Sequence, residues 1–189
     1  MATVLLLNGP PKCGKDTIAK ESGMPRASFK TELFRILLNA YPAFRPCDLT
    51  DEDAYRRLKE TPIPMFSGRT LREELIRISE DVIKPAFGKH YFGHALARDL
   101  GSTDQSYIVS DGGFKEEVEA LIECGYGHKV LIARVIRPGC TFDGDARGWI
   151  TEDMFDFKIP MKDFVNNGTP EEITDEILKW GMEVANLWC

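Results

Sequence analysis

The chain has 189 residues, a formal net charge of −6 and 43% hydrophobic residues. This length predicts one domain with a substantial core, or one domain with a small mobile flap. No window approaches the ~20 apolar residues of a membrane span, so we expect no membrane partner. An apolar strand follows Met1 almost at once, so we expect no secretory signal. The acidic charge lacks the gross electrostatic footprint of a DNA-binding protein, although it leaves room for a local basic cleft.

The cysteines and histidines bear on the compartment and on metal binding. Five cysteines, an odd number without a C-x-x-C pair, are typical of reduced thiols. They predict a cytoplasmic protein, in the cytoplasm of a host cell if the protein is viral. Three scattered histidines offer no zinc-ligand spacing, so we expect no zinc site.

Near the start of the chain, an apolar run at Val4–Leu7 leads into a loop spaced glycine, four residues, glycine and lysine. This spacing is typical of a phosphate-binding loop, whose backbone N–H groups close around a di- or triphosphate. The side chain of Lys15 is expected to face solvent or the ligand and to reach the β- and γ-phosphates. It is also a predicted catalytic residue. The residues predicted to bind the nucleotide are Gly9, Pro10, Lys12, Cys13, Gly14, Lys15, Asp16 and Thr17.

Asp16 occupies the place where such a loop usually carries a Ser or Thr that binds magnesium, and the hydroxyl comes one place later at Thr17. A carboxylate beside the γ-phosphate is repelled unless it binds Mg²⁺, directly or through water, or faces a substrate hydroxyl. Asp16 and Thr17 are therefore predicted metal ligands, and Asp16 is also a predicted catalytic residue. The alternative is that Asp16 only stabilises the first turn of a helix.

Helical patterns recur along the first half of the chain. Helices are predicted at 15–22, 30–41, 55–58, 70–82 and 89–100. Thr50 with Asp53, and Thr70 with Glu73, have the spacing of capping boxes. The helix after Thr70 repeats apolar residues at i, i+4, i+7 and i+11, which predicts a core-facing stripe: Leu71, Leu75, Ile78 and Val82.

Strand patterns alternate with these helices. Strands are predicted at 4–7, 26–29, 107–111 and 129–137, with short extended pieces at 157–161 and 164–165. Later helices are predicted at 116–124 and from Pro170 onward. The nearly continuous apolar run at 129–137 fits a parallel sheet covered on both faces. This alternation, with the phosphate loop after the first strand, predicts an α/β three-layer fold.

Asp111 ends the strand predicted at 107–111. In phosphate-loop proteins an acid at this place commonly holds magnesium, directly or through water, so Asp111 is a predicted metal ligand and catalytic residue. The alternative is that Asp111 merely caps the following helix.

Five basic residues are candidates for binding phosphate groups. Arg69 and Arg72 lie where a flexible loop meets a helix, and arginine forks match phosphate bidentately, so both are predicted to bind the acceptor. Lys30, just after the second strand, is a third predicted substrate residue, unless it is an exposed lysine of a first helical turn. Arg137 and Arg147 flank a loop rich in Gly and Asp. They are predicted catalytic cations on a mobile lid.

Several segments together resemble bacteriophage-type deoxynucleoside monophosphate kinases. They are Gly9–Thr17, Ser28–Lys30, Thr70–Glu73, Val109–Asp111 with Phe114 and Glu117–Val118, Val135–Gly139, and Asp163–Thr169. The Gly-Lys-Asp sequence is also similar to the loop of animal phosphomevalonate kinases. The resemblance implies a P-loop kinase fold over residues 1–189, with an acceptor-binding helical region at about 30–100 and a lid at about 138–150. It also implies ATP and Mg²⁺ as cofactors and a small-molecule nucleotide as the acceptor.

One departure from that family concerns the acceptor. The family carries an arginine two residues after the strand-end aspartate, whereas this chain has Gly113, and Arg147 is predicted to replace the missing charge. We expect in-line transfer of the ATP γ-phosphoryl to a free deoxynucleoside monophosphate. The alternative is a viral DNA-modification kinase that phosphorylates a hydroxymethylpyrimidine such as 5-hydroxymethyluracil within DNA. A third hypothesis is a nucleotide-binding protein without transfer chemistry. The sequence leaves open whether the protein is a homodimer.

Overall fold

The computed structural model describes residues 2–44 and 52–186. The chain divides into two compact units. Residues up to Phe29 and from Gly93 onward form the sheet unit, and Lys30–Phe92 form the helical unit. The helical unit falls within the acceptor-binding region predicted at about 30–100, and the functional assignment of that region stays a prediction.

The sheet unit is built on one parallel sheet. Its strands are β1 Thr3–Asn8, β2 Arg26–Ala27, β3 Ser106–Val109, β4 Lys129–Ile136 and β5 Met161–Val165. Within the described residues the sheet has five strands in the order β2-β3-β1-β4-β5. Every neighbouring pair is parallel, and Leu5 at the centre lies opposite Ile108 on one side and Leu131 on the other. The predicted parallel sheet is confirmed.

Helices occupy most of the segments between strands. They are α1 Lys15–Glu21, α2 Lys30–Ala40, α3 Glu52–Glu60, α4 Leu71–Ile76, α5 Lys84–Phe87, α6 Tyr91–Leu100, α7 Lys115–Glu123 and α8 Pro170–Asn186. Short 3₁₀ turns lie at Pro64–Phe66 and Glu152–Met154. In the described part of the chain, no helix combines the length and apolar character needed to cross a bilayer.

Both faces of the sheet are covered because β1 is apolar on both sides. Val4 and Leu6 share a buried cluster with Leu96 of α6 and with residues of α7. Leu5 points to the opposite face and shares a second cluster with Ile18 of α1 and with residues of α8. Alternation of side chains across a strand separates the two clusters. The predicted three-layer α/β arrangement is confirmed.

The helical unit has its own apolar core around the fully buried ring of Phe66, against which Leu37 and Leu71 are also fully buried. The predicted capping box at the start of α4 is confirmed. The Glu73 N–H donates to Thr70 Oγ1 at 3.2 Å, and the Thr70 N–H donates to Glu73 Oε2 at 2.8 Å. Two otherwise unpaired N–H groups are thereby satisfied at the helix start.

The predicted stripe through this helix is wrong at its last position. Val82 is 43% exposed, whereas Ile83 is 7% exposed. The chain is π-helical over Arg77–Ile83, where each turn takes about one more residue than in an α-helix. The core position after Ile78 therefore comes five residues later instead of four.

Several predicted boundaries also differ from the observed ones. The strand predicted at 26–29 ends at Ala27, because the next two residues turn their polar groups towards Asp111. The helix predicted from Lys89 begins at Tyr91, after Gly88 with φ 92°. Of the extended pieces predicted at 157–161 and 164–165, the second lies within β5, whereas the first is in the strand only at its last residue, Met161. The capping box predicted at Thr50 lies outside the described residues.

Candidate active site

The topology brings the two most informative motifs together. β1 and β3 are neighbours, but the helix after β1 packs on one face of the sheet and the helix after β3 on the other. Ligands of α/β sheets bind in the crevice at the carboxyl ends of strands that diverge in this way. The phosphate loop follows β1, and Ser110-Asp111 follows β3. We call the space between these two strand ends the switch-point crevice.

Lys15 is held inside the phosphate loop. Its Nζ donates to the carbonyl oxygens of Gly9 at 2.6 Å and of Pro10 at 2.8 Å, and lies 3.6 Å from Cys13 Sγ. The residue is 8% exposed, so its side chain does not face solvent, and contact between Lys15 and a ligand stays a prediction. Burial lowers the pKa of the ammonium, the Cys13 thiol opposes that shift, and the positive charge of Arg147 adds to it.

Glycines are required at two points of this loop. A Cβ at Gly9 would lie 2.5 Å from the Val135 carbonyl oxygen. Gly14 has φ 106°, and a Cβ there would lie 2.5 Å from Asn166 Nδ2. That amide donates to the Cys13 carbonyl oxygen at 2.7 Å and so closes the loop from the far edge of the sheet. Asn166 was not predicted as a site residue, although it lies in a segment that carries the family resemblance.

The predicted acidic residues occupy two adjacent positions at the crevice. The Ser110 hydroxyl donates to Asp16 Oδ1 at 2.7 Å, which joins the phosphate loop to the end of β3. Asp111 accepts from the Ser28 hydroxyl at 2.7 Å and from the Phe29 N–H at 3.3 Å. The N–H groups at the start of α7 donate to Glu117, which therefore caps that helix. Roles of Asp16 and Asp111 in catalysis stay predictions.

The oxygen ligands needed for magnesium are present. Asp16, Thr17 and Asp111 offer carboxylate and hydroxyl oxygens, the ligand type that Mg²⁺ takes. Among the described residues, no group of three or more His, Cys, Asp and Glu side chains could hold a metal by itself. Mg²⁺ usually takes one or two carboxylates together with substrate phosphates.

Arg147 lies at the crevice, within the predicted lid. Its Nη1 is 3.5 Å from the Asp111 carbonyl oxygen, and its Nε and Nη2 donate to Asp145 at 2.9 and 2.7 Å. This hydrogen bonding raises the pKa of Arg147. A Cβ at Gly113 would lie 2.7 Å from Arg147 Cδ, so the glycine leaves the space that the arginine stem occupies. The prediction that Arg147 replaces the missing arginine thus has a geometric basis.

Asn8, which was not predicted, fixes the far end of the lid. It is fully buried at the end of β1. Its Nδ2 donates to the Gly148 carbonyl oxygen at 3.1 Å, and its Oδ1 accepts from the Ile150 N–H at 3.0 Å. The sequence contains a signal for this role, because Asn8 is a polar residue that ends an otherwise apolar strand just before the phosphate loop.

Arg137 lies elsewhere in the sheet unit. It lines a cavity of about 120 Å³ beside the phosphate loop, together with Gly14, Thr17, Ile18, Asn166, Gly168 and Pro170. Arg147, by contrast, lies against Asp111 and Gly113. The two predicted lid arginines therefore flank different parts of the site.

The predicted acceptor residues belong to the helical unit. Arg69 Nε donates to Glu74 Oε2 at 2.6 Å, and Tyr41 and Arg77 also donate to this fully buried carboxylate. Burial opposes ionisation of Glu74, but the hydrogen bonds that it accepts outweigh burial and lower its pKa to about 2. We call these four residues the Glu74 cluster. Arg77 was not predicted, although its spacing of three from Glu74 on a helix is a recognisable signal.

Arg72 and Lys30 differ from Arg69 in their surroundings. Arg72 is exposed on the first turn of α4 and makes no ion pair with any residue that the structure describes. Lys30 is half-buried and opens α2. Binding of an acceptor by Lys30, Arg69 and Arg72 stays a prediction.

No model of a known protein family matches this chain. No curated protein matches its sequence either.

Three solved structures are similar to the chain over almost its whole length. A sugar kinase from Janibacter sp. HTCC2649 is 14% identical, with 95% of this chain and 94% of that chain covered and a TM-score of 0.45. A gluconokinase from Sinorhizobium meliloti 1021 is 12% identical, with 98% and 95% covered and a TM-score of 0.49. A shikimate kinase from Aquifex aeolicus vf5 is 14% identical, with 97% and 98% covered and a TM-score of 0.44.

All three proteins are described as kinases, and none as a deoxynucleoside monophosphate kinase. The subfamily that the sequence resembles is therefore not confirmed. With TM-scores below 0.5, these similarities decide neither the activity nor the substrate of this chain, and we infer function from the site itself.

Proposed function

We propose that this protein is an ATP-dependent phosphotransferase whose acceptor is a deoxynucleoside monophosphate. The observation that carries the proposal is the convergence of two cations on the switch-point crevice. Lys15 comes from the phosphate loop after β1, and Arg147 contacts the residues that follow β3. Positive charge beside a loop of the phosphate-binding type is what transfer of a phosphoryl group requires.

ATP would bind across the phosphate loop. Backbone N–H groups of the loop would hold the β- and γ-phosphates, as such glycine-rich loops do. The neighbouring cavity would take the base or sugar, because its Arg137 can stack on an aromatic ring and its Asn166 carries an amide. This assignment gives Arg137 a nucleoside-binding role in addition to the lid role inferred from the sequence.

Asp16, Thr17 and Asp111 are the residues that would hold Mg²⁺. When bound, the ion neutralises charge on the β- and γ-phosphates. The Ser110 hydroxyl, which donates to Asp16 at 2.7 Å, would keep the Asp16 carboxylate aimed at the crevice.

The proposed reaction is an in-line displacement. A bond forms between the acceptor oxygen and the γ-phosphorus, the bond to the β–γ bridging oxygen breaks, and ADP leaves. A monophosphate acceptor is already largely ionised at neutral pH, so no strong base is needed. Lys15 and Arg147 would stabilise the charge of the migrating group. If the acceptor is instead a hydroxyl, its proton would pass to Asp16 or Asp111.

The acceptor phosphate would be bound by basic residues of the helical unit. Arg72 is the best candidate because it is exposed and makes no ion pair with the described residues. Arg69 already donates to Glu74, so it would contribute only its remaining N–H groups. Lys30 would supply a third positive charge.

A panel of acceptors tests this proposal. Purified protein would be incubated with radiolabelled ATP, Mg²⁺ and each common deoxynucleoside monophosphate, with 5-hydroxymethyluracil-containing DNA, and with simple hydroxyl compounds. We expect label in a nucleoside diphosphate. Label only in the DNA would establish the DNA-modification kinase, with which Gly113 in place of an arginine is compatible. ATP binding without transfer to any acceptor would indicate a nucleotide-binding protein.

A further inference from the structure

The lid contains one charged pair that is shielded from solvent. The Asp145 side chain is 8% exposed and the Arg147 side chain 23%. Arg147 donates through Nε to Oδ1 at 2.9 Å and through Nη2 to Oδ2 at 2.7 Å, and its backbone N–H also donates to Oδ1 at 3.0 Å. Two parallel bonds to one carboxylate fix the plane of the guanidinium. Nη1, which makes no bond to Asp145, lies 3.5 Å from the Asp111 carbonyl oxygen.

The rest of the lid also fixes Arg147. Its stem runs over Gly113, where a Cβ would lie 2.7 to 2.8 Å from three side-chain carbons of the arginine. The next residue, Gly148, is anchored by the buried amide of Asn8. The rings of Phe142 and Trp149 join the two arms of the loop, with centroids 5.2 Å apart. The stem, the backbone and the guanidinium plane of Arg147 are thus each determined by a separate contact.

From this geometry we propose that Asp145 is a positioning residue, which turns the Nη1 edge of Arg147 into the switch-point crevice to contact the γ-phosphoryl group of ATP. This inference rests on the proposed function. Arginine has five N–H donors in a fixed fork. Asp145 occupies Nε and Nη2, whereas Nη1 lies by the Asp111 carbonyl oxygen at the crevice, so the donors on Nη1 are the ones that a ligand would meet. Lys15 supplies the second cation of the same contact.

Two other roles for Asp145 predict different results. A carboxylate that merely masked the arginine would weaken anion binding, so that its removal would strengthen the binding of ATP. A carboxylate that merely tied the loop together would change stability and leave the kinetics of Arg147-dependent steps intact. A positioning role requires that the loss of Asp145 has no further effect once Arg147 is gone.

A double-mutant cycle tests the proposal on the full-length protein. Asp145→Asn, Arg147→Ala and the double variant would be compared for kcat/KM of transfer and, by calorimetry, for the Kd of ATP with Mg²⁺. We expect Arg147→Ala to lower kcat/KM by about 10²-fold. Asp145→Asn should lower it by about 10-fold or more, because a misplaced catalytic group loses much of its effect. The double variant should match Arg147→Ala alone, since residues that act as one unit are not additive.

Asp143→Asn is the matched control. Asp143 lies in the same loop, is exposed and binds only a local hydroxyl, that of Thr141 at 2.7 Å. We expect wild-type kinetics for this variant, and circular dichroism spectra like that of the wild type at the assay temperature would show that the others are folded. Unchanged or increased kcat/KM in Asp145→Asn, or effects that multiply in the double variant, measured below the melting temperature of every variant, would overturn the proposal.

The calorimetric measurements of ATP binding distinguish a failure of this inference from a failure of the proposed function. If the wild type transfers phosphoryl to no acceptor, the proposed function fails. The Kd values of the three variants for ATP still test whether Asp145 positions Arg147. Weaker ATP binding in Asp145→Asn, by up to about 10-fold, together with a double variant that binds no more weakly than Arg147→Ala, supports the positioning role. Binding that is unchanged or tighter in Asp145→Asn contradicts it.

Discussion

The two units each contain a shielded carboxylate that pairs with arginine, but in the lid one edge of the arginine also lies at the switch-point crevice. In the Glu74 cluster, two arginines and a tyrosine donate to one fully buried carboxylate. In the lid, Asp145 binds Nε and Nη2 of Arg147, and Nη1 of the same arginine lies at the switch-point crevice. Arg147 also adds positive charge to the surroundings of Lys15, which lowers the pKa of that ammonium further.

This difference between the Glu74 cluster and the lid indicates which arginines support the fold and which are available for a ligand. Loss of one partner from a buried ion pair leaves an uncompensated charge and costs about 3–5 kcal/mol. In the Glu74 cluster the buried partner is a carboxylate whose oxygens are taken by several donors, so the cluster stabilises the helical unit. In the lid the Nη1 edge of the arginine lies at the crevice, 3.5 Å from the Asp111 carbonyl oxygen, so the pair presents a cation there.

The largest expected effect is on Lys15, the second cation of the crevice. Lys15→Met should lower phosphoryl transfer by about 10³-fold or more, because it removes a donor to the phosphates of ATP. Methionine has a similar length and is apolar, so it suits the buried position. Radiolabelled transfer and circular dichroism would measure activity and folding. Lys20→Met, an exposed change on α1, is the control. Near-normal transfer in Lys15→Met would show that the loop assignment is wrong.

A second prediction tests whether the Glu74 cluster stabilises the fold, as the comparison of the two units requires. Glu74→Gln should lower the free energy of unfolding by about 1–3 kcal/mol, because the hydrogen bonds that Glu74 accepts lose the charge of the carboxylate. Urea denaturation would measure the change. Glu80→Gln in the same unit is the matched control. Its carboxylate is 45% exposed and pairs with Lys84, so we expect a change below about 1 kcal/mol.

A third prediction separates the exposed arginine of the helical unit from those in the cluster. If the acceptor is a free monophosphate, Arg72→Ala should raise its KM by one to two decades, equivalent to roughly 1.5–3 kcal/mol. The Kd of ATP should hardly change. Steady-state kinetics and calorimetry would test both. Arg35→Ala serves as the control, since Arg35 is 50% exposed and pairs locally with Glu32. An equal change in KM in both variants would leave no specific role for Arg72.

The smallest effect at neutral pH, and a sharper test of the cluster, comes from titration. The hydrogen bonds to Glu74 lower its pKa from the ordinary 4.5 to about 2. Because the folded state holds the ionised form, this stabilisation is complete above about pH 4.5 and is lost as the pH falls towards 2. Unfolding free energies measured across that range should fall more steeply for the wild type than for Glu74→Gln. Parallel curves would contradict the assignment.

Local spacing was enough to predict much of the fold. The capping box of Thr70 and Glu73 spans four residues, and the phosphate-loop glycines are five apart, so their geometry follows from neighbours in the chain. The apolar run of β4 identified a strand buried on both faces for the same reason. Asp16 and Asp111 both follow strands that the pattern identified, and their roles at the site stay predictions.

Long-range packing decided what the sequence left open. The π-helical stretch at Arg77–Ile83 places Ile83 in the core instead of Val82, because each turn takes about one more residue there. The spacing of apolar residues in the sequence does not show where such a turn occurs. Asn8 meets Gly148 across 140 positions of the chain, and no local pattern encodes that contact.

The direction of the charged side chains was likewise decided by the tertiary structure. The sequence by itself determined that Lys15 and Arg147 are present, one in a phosphate loop and one in a Gly- and Asp-rich loop. Folding decided that Lys15 turns inward onto its own loop carbonyls and that Arg147 crosses the space left by Gly113. A buried polar group must take the partners that the surrounding backbone offers, and only the packed strands and loops determine which partners those are.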